Sequence, residues 1–391
     1  MSKLYVVAPF ESENISKKIS SRNLELIKQY DGSGELILSL FDHRYKKYNS
    51  KAEVEGFLKR EGIKGKYIYA SPYYNNISVL RVLSNFIFST LCFFYLLRKV
   101  KRSDVVLVNS IPPEILFFVS LLQRVFSFRL VADVRDIWPD ALVSRPGVVA
   151  SFFKAYCNFF YRLSISRVSR FLYVAPSFLN WINRWQGKNV LCKYAPLGYD
   201  EARWVGEGKP PPKELDLTRI NLVYVGYLSD QFDLSGVIEA VIDSKEHCLH
   251  IIGGGGMEEK YRLIANDCPK IHFYGMRSPQ FVSENLLFFD IGVLPLREGA
   301  AAFLPNKFFD YMAAGLPVLC SGSEDVRNVV ESEGMGWSAD KGFSRVLLSI
   351  TKSDVSSCKA NVMLKQGKYA MSTIYPEAVQ FICESNSCGD S

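Results

Sequence analysis

The sequence predicts an α/β protein with two doubly wound parallel sheets, and three observations predict it. Short aliphatic runs alternate with longer helical patterns along the whole chain, the order that builds parallel strands covered by helices on both faces. The 391 residues exceed what one core ordinarily organises and suit two domains of about 150–200 residues. A stretch at 201–218 that carries Gly206, Gly208, Pro210–Pro212 and several charges separates two sets of strands and reads as a linker.

In the first half the strand-like runs are Leu4–Ala8, Glu35–Leu40, Asp104–Asn109, Arg129–Asp133, Phe171–Ala175 and Val190–Ala195. In the second they are Ile220–Gly226, Leu249–Gly253, Ile271–Tyr274, Ile291–Pro295 and Pro317–Cys320. The expected division is a first domain at 1–200, a linker at 201–218, a second domain at 219–370, and a helix or tail at 371–391 that packs back on the first domain. Two such domains are expected to face each other across a cleft, with ligands at the carboxyl ends of their strands.

Composition narrows the function. A 48% hydrophobic, 22% charged chain is globular rather than disordered. The apolar run after Met1-Ser2-Lys3 is too short for a secretory signal, and the nine cysteines form no CxxC pair, so a reducing cytoplasm is expected. His43, His247, His250 and His272 fall in no metal-ligand spacing, so no built-in metal is expected. The net charge of +7 is unevenly spread: residues 1–200 carry +14 and the remainder −7. The basic half suits an anionic membrane face or a phosphate-bearing lipid, and no nucleic-acid motif accompanies it.

Leu83–Leu97 is apolar and flanked by Arg81, Arg98, Lys99, Lys101 and Arg102. Fifteen residues are short of the ~20 that span a bilayer. The segment reads either as a buried core helix or as a helix lying in the membrane interface. Ser151–Arg170 has a similar aromatic and basic mixture.

Pro305–Val318, PNKFFDYMAAGLPV, carries the most chemistry. Pro305 suits the first helical position, Phe308, Phe309, Met312 and Ala313 give an apolar face, and Gly315 with Pro317 ends the helix. Lys307 is the anomaly: a cation in a first helical turn is disfavoured unless an anion shares the site. A diphosphate would resolve it, and a Lys307–Asp310 surface pair is the plain alternative. Upstream, Leu249–Gly253 runs into Gly254–Gly256, a turn that lets backbone approach a ligand or simply turns the chain.

With VYVGYLSD at 223–230, HIIGGGG at 250–256, IHFYGMRSPQ at 271–280, DIGVLPLR at 290–297, LPNKFFDYMAAGLPVLCSG at 304–322 and LVADVRDIWPDALV at 130–143, the chain resembles glycosyltransferase family 4. The resemblance is strongest to the family's bacterial surface-polysaccharide branch (capsule, lipopolysaccharide), and it implies the GT-B fold. By this resemblance Asp310 would bind the donor's ribose as the second carboxylate of a Glu-x7-Glu motif, whose first position holds Ala302. Glu298 is the nearby carboxylate that could take that role. Tyr227 stands where the family often has an Arg, which leaves Lys307 and Arg297 to neutralise the diphosphate, helped by the N–H groups of Asn306 and Lys307. Gly226, Gly254, Tyr274, Gly275 and Met276 complete the donor site, and Arg135 with Asp136 would serve the acceptor. Trp138 reads as a wall against a sugar face or as core.

The implied activity is metal-independent retaining transfer from a nucleotide diphosphate sugar, UDP-linked by family frequency. The acceptor would be a glycan or a polyprenyl-diphosphate-linked oligosaccharide, at the inner face of the cytoplasmic membrane. A non-hydrolysing nucleotide-sugar epimerase and a non-catalytic subunit are the rival readings, the second prompted by Ala302.

Overall fold

The computed structural model describes residues 2–16, 20–75, 78–140, 147–187, 190–204, 210–298 and 304–384. Two compact units emerge, Met1–Pro196 with Ile374–Ser391, and Leu197–Thr373. The chain therefore crosses between units after Pro196 and after Thr373, rather than at 200 and 370. Residues 201–204, read as linker, form a 3-10 turn within the second unit, and 205–209 lie outside the described residues.

The first unit contains β1 (Lys3–Val7), β2 (Ser33–Leu38), β3 (Phe41–Asp42), β4 (Lys47–Tyr48), β5 (Lys64–Tyr67), β6 (Val105–Asn109), β7 (Arg129–Val134), β8 (Arg170–Tyr173) and β9 (Leu191–Tyr194). Its sheet runs β5-β2-β1-β6-β7-β8-β9, with β3-β4 a separate hairpin. The second unit contains β10 (Ile220–Val225), β11 (His247–Ile252), β12 (Ile271–Gly275), β13 (Ile291–Pro295), β14 (Val318–Ser321) and β15 (Gly336–Ser338), in the order β12-β11-β10-β13-β14-β15. Every pairing in both large sheets is parallel. Strand order reverses between β1 and β6 and between β10 and β13, and such switch points open crevices at the strands' carboxyl ends.

The central strands are aliphatic because helices cover both of their faces: all six residues of β10 and of β11 are buried. The strands that the sequence did not reveal lie at edges. Lys64-Gly65-Lys66-Tyr67 and Gly336-Trp337-Ser338 need bury little, so no apolar run marks them.

Helix Val79–Leu97 has 19 residues, four more than the apolar run, because Ser78 caps it by accepting from the Arg81 N–H. It is not a fully buried core helix. Ser84, Asn85, Phe88, Ser89, Cys92 and Leu96 are buried, while Val79, Leu80, Leu83, Leu91, Phe94 and Leu97 are exposed. By length and composition it could cross a membrane, yet a third of its most apolar window is buried in the fold. Helix Val148–Ser164, on the second aromatic and basic segment, exposes Phe152, Phe159 and Leu163.

Candidate functional site

In the second unit, β10 ends at Gly226, whose φ of +127° is a conformation side chains rarely adopt. A Cβ there would lie 2.5 Å from Lys307 Cε and 2.9 Å from its Nζ. A Cβ on Gly253, just past β11, would lie 1.9 Å from the Gly226 carbonyl oxygen. Bare backbone is thus needed at both strand ends, and the Lys307 side chain fills the space that results.

Lys307 projects from helix Asn306–Ala313, whose first turn no side chain caps. Pro305 is the cap residue itself, one position earlier than the sequence suggested. Phe308, Phe309, Tyr311 and Met312 are buried, and the Tyr311 hydroxyl reaches the carbonyls of Val223 and Val293, tying the helix to β10 and β13. The first turn is thereby fixed at the carboxyl edge of the sheet.

The Lys307 ammonium lies 3.4 Å from the centroid of the Phe232 ring and 4.9 Å from that of Tyr224. Burial pushes its pKa down to about 7, against the pull of Asp310. Burial pushes the Asp310 carboxyl up to about 6, against Arg203 and Lys307. Among the described residues the two form no ion pair within 4 Å, so the surface pair allowed by the sequence is absent. A partly dehydrated ammonium without a counter-anion is costly, and an oxyanion beside it would recover that cost.

The other predicted donor-site residues divide. A Cβ on Gly254 would touch Met276 Cγ at 3.1 Å, and Met276 is exposed, so Gly226, Gly254, Gly275 and Met276 line one strand-end rim. The Tyr274 hydroxyl is engaged by His250 Nδ1 at 3.0 Å and by Glu214. Arg297 pairs with Asp233 at 3.2 Å, Glu298 is exposed, and Ala302 lies outside the described residues. Arg203, half-buried in the 3-10 turn, is an added cation that acts on Asp310.

In the first unit, Asp133 closes β7 and is held by Arg22. Its carboxylate accepts from Arg22 Nε at 2.9 and 3.1 Å and from Nη2 at 2.8 Å, and Arg22 Nη1 donates to the Ala195 and Pro196 carbonyls at 2.6 and 3.1 Å. Both side chains are buried. The loop pair allowed by the sequence, Arg135 with Asp136, does not form among the described residues, and Arg22–Asp133 holds the loop instead. Asp136 accepts from the Ile137 N–H at 2.9 Å, and burial raises its pKa. Trp138 is buried against Phe153, with the Arg81 guanidinium 4.9 Å from its ring.

Sequence reasoning missed Arg22, Arg81 and Arg203. Arg81 carried a usable signal, since it stands in the first turn of Val79–Leu97 just as Lys307 does in its helix.

Residues 219–348 match the family model described as glycosyl transferases group 1. A protein of Pseudomonas aeruginosa called probable glycosyltransferase WbjE is 24% identical over 286 residues, 66% of this chain and 69% of that protein. The crystal structure of Anabaena HepE in complex with UDP aligns over 97% of this chain and 99% of its own, with a TM-score of 0.64 and 13% identity. The lipopolysaccharide outer core galactosyltransferase WaaB aligns over 98% and 99%, with a TM-score of 0.63 and 14% identity. At such identities these structures establish the fold, which is GT-B.

Proposed function

From the premise that this chain is a glycosyltransferase whose residues 219–348 form a group 1 domain, we propose that it transfers a sugar with retention from a UDP-sugar. The acceptor is a glycan or lipid-linked oligosaccharide of surface-polysaccharide synthesis. The observation that carries the reading is Lys307, half-buried and without an ion pair among the described residues, at an uncapped helix start against the bare backbone of Gly226. The similarity to probable glycosyltransferase WbjE and the UDP in the HepE structure support the substrate class.

In this reading Lys307 and the N–H groups of Asn306 and Lys307 hold the diphosphate, and Asp310 holds the ribose. Backbone near Tyr274–Met276 meets the base. Arg135 and Asp136 orient the acceptor, whose oxygen bonds to the anomeric carbon on the face the diphosphate leaves. The acceptor's proton passes to the departing phosphate oxygen. Positioning and charge stabilisation do most of this work, so neither a strong protein base nor a metal is required. The exposed apolar residues of Val79–Leu97 and Val148–Ser164, with the basic charge of residues 1–200, support peripheral contact with an anionic membrane at the cytoplasmic face.

Thermal unfolding against a panel of nucleotides and nucleotide sugars tests the donor site. UDP at 100 times its Kd should add about 2.7 kcal/mol to the wild type and far less to Lys307→Ala. Equal stabilisation of both proteins removes the site assignment, and isomerised donor in an acceptor-free incubation replaces transfer by epimerisation.

A further inference from the structure

The loops that follow β1 and β2 meet at the carboxyl edge of the first unit's sheet and bring three metal-ligating side chains together. Val7 and Ile37 pair across the parallel ladder, and Glu13 and His43 stand equally far beyond that pair. Glu13 lies in the short helix Ser12–Ser16, and His43 directly follows Asp42 of β3. One carboxylate oxygen from each of Glu13 and Asp42 and one ring nitrogen of His43 lie within 4.8 Å of one another. Along the chain His43 has no partner at a ligand spacing, whereas the folding of these loops supplies it with ligand partners.

Two buried atoms in this cluster lack the partner that burial normally requires. Asp42 is 1% exposed, and its Oδ1 accepts from the N–H groups of Arg44 and Tyr45 at 2.9 Å each. Its Oδ2 has no hydrogen-bond partner among the described residues, and neither has His43 Nδ1. The separation of His43 Nδ1 from Glu13 Oε2 is 3.6 Å, too long for a hydrogen bond. Two ligands of one tetrahedral zinc, each about 2.0–2.2 Å from the ion, stand about 3.3–3.6 Å apart. The surroundings hold the three side chains as an outer shell holds metal ligands. Phe10 lies against the His43 ring with centroids 4.9 Å apart, and Arg44 Nη1 donates to Glu13 Oε1 at 3.2 Å. Glu13 is thus engaged rather than free, and a carboxylate can keep such partners while another lone pair binds a metal.

Charge decides between ions. Arg44, Arg81 and Lys46 stand around the cluster, so it does not draw in a cation by net charge, as the oxygen-rich sites of calcium and magnesium do. An ion that bonds imidazole directly is required. We propose that Glu13, Asp42 and His43 bind a zinc ion, with water completing the four ligands on the exposed side of Glu13 and His43. The ion ties the loop after β1 to the loop after β2. It involves residues of the first unit alone and does not rest on the transferase reading.

Calorimetric titration of the full chain with zinc chloride, after metals are removed by chelation, tests the site. The wild type should bind one equivalent, and His43→Gln and Asp42→Asn should each weaken binding about tenfold or more. Zinc should raise the unfolding temperature of the wild type and leave that of His43→Gln unchanged. Asp42 also holds the turn into Tyr45, so a measurement on the wild type alone accompanies the variants. Cobalt(II) in place of zinc should give visible bands of nitrogen and oxygen ligation without a sulfur charge-transfer band, which separates this site from the cysteines whether or not a variant folds. Magnesium and calcium in large excess should not displace the zinc. No zinc bound, zinc bound equally by both variants, a sulfur charge-transfer band, or displacement by magnesium or calcium overturns the proposal.

Discussion

The helices Val79–Leu97 and Asn306–Ala313 each carry a cation in their first turn that packs on aromatic rings, and the fold treats these two cations differently. Lys307 lies against glycine backbone and beside the Phe232 ring, so deeply that its charge becomes titratable near neutrality. Arg81 is stacked among Phe10, Tyr73 and Trp138, and although burial also pulls its pKa down, a guanidinium keeps its charge across the working range. The difference separates two ways to hold a cation at a helix start. Both cations lie on aromatic rings and both lose solvation, but burial makes an ammonium's charge depend on pH and leaves a guanidinium's permanent.

The comparison can be broken or sharpened in order of expected effect. Arg22→Met leaves the Asp133 carboxylate buried without its partner and should cost about 3–5 kcal/mol of stability. Urea unfolding followed separately in the two units should place that loss in the first. An unchanged midpoint would mean that the loop after β7 is held by something else.

Gly226→Ala places a methyl group into Lys307 at a strained φ and should weaken UDP about tenfold or more, by titration calorimetry. In a Lys307→Ala background the same change should cost much less, because the two residues act through one contact. Additive losses would separate Gly226 from Lys307.

The third prediction concerns pH. Donor kcat/KM should rise as Asp310 ionises through about 6 and fall as Lys307 loses its proton through about 7. A bound diphosphate favours the ammonium, so kcat should persist to higher pH than kcat/KM. A flat donor profile would remove the contrast between the two cations.

Arg297→Ala should change donor KM less than threefold, since its charge is already committed to an exposed pair with Asp233. A loss as large as that of Lys307→Ala would return Arg297 to the diphosphate.

Legibility in the sequence followed burial and range. The central strands β1, β6, β7, β10, β11 and β13 announce themselves because both faces must be apolar, while β5 and β15 do not because edges need not be. Lys307 could be singled out from local rules alone, since a helix start disfavours cations wherever it folds. The same rule applies to Arg81, where the long apolar run that follows is the stronger local signal. Arg22 could not be foreseen: its partners Asp133 and Ala195 lie 111 and 173 positions away, and nothing in Ser21-Arg22-Asn23 marks the arginine as buried. Asp310 was placed by family resemblance, and only the fold shows Arg203 acting on it.

The return of the chain to its first unit at Ile374 sets an order of assembly. Arg129 and Arg170 donate to carbonyls at Phe381, Ile382 and Glu384, and the Tyr375 ring lies 5.6 Å from the Arg22 guanidinium. During synthesis from the amino terminus, residues 1–196 emerge first yet lack the helix that these arginines require. The second unit, continuous from Leu197 to Thr373, can fold while the first still waits. The ribosome must pass Ile374 before the earlier-made unit can be completed, so a chain stopped before Ile374 would carry a complete second unit beside an incomplete first.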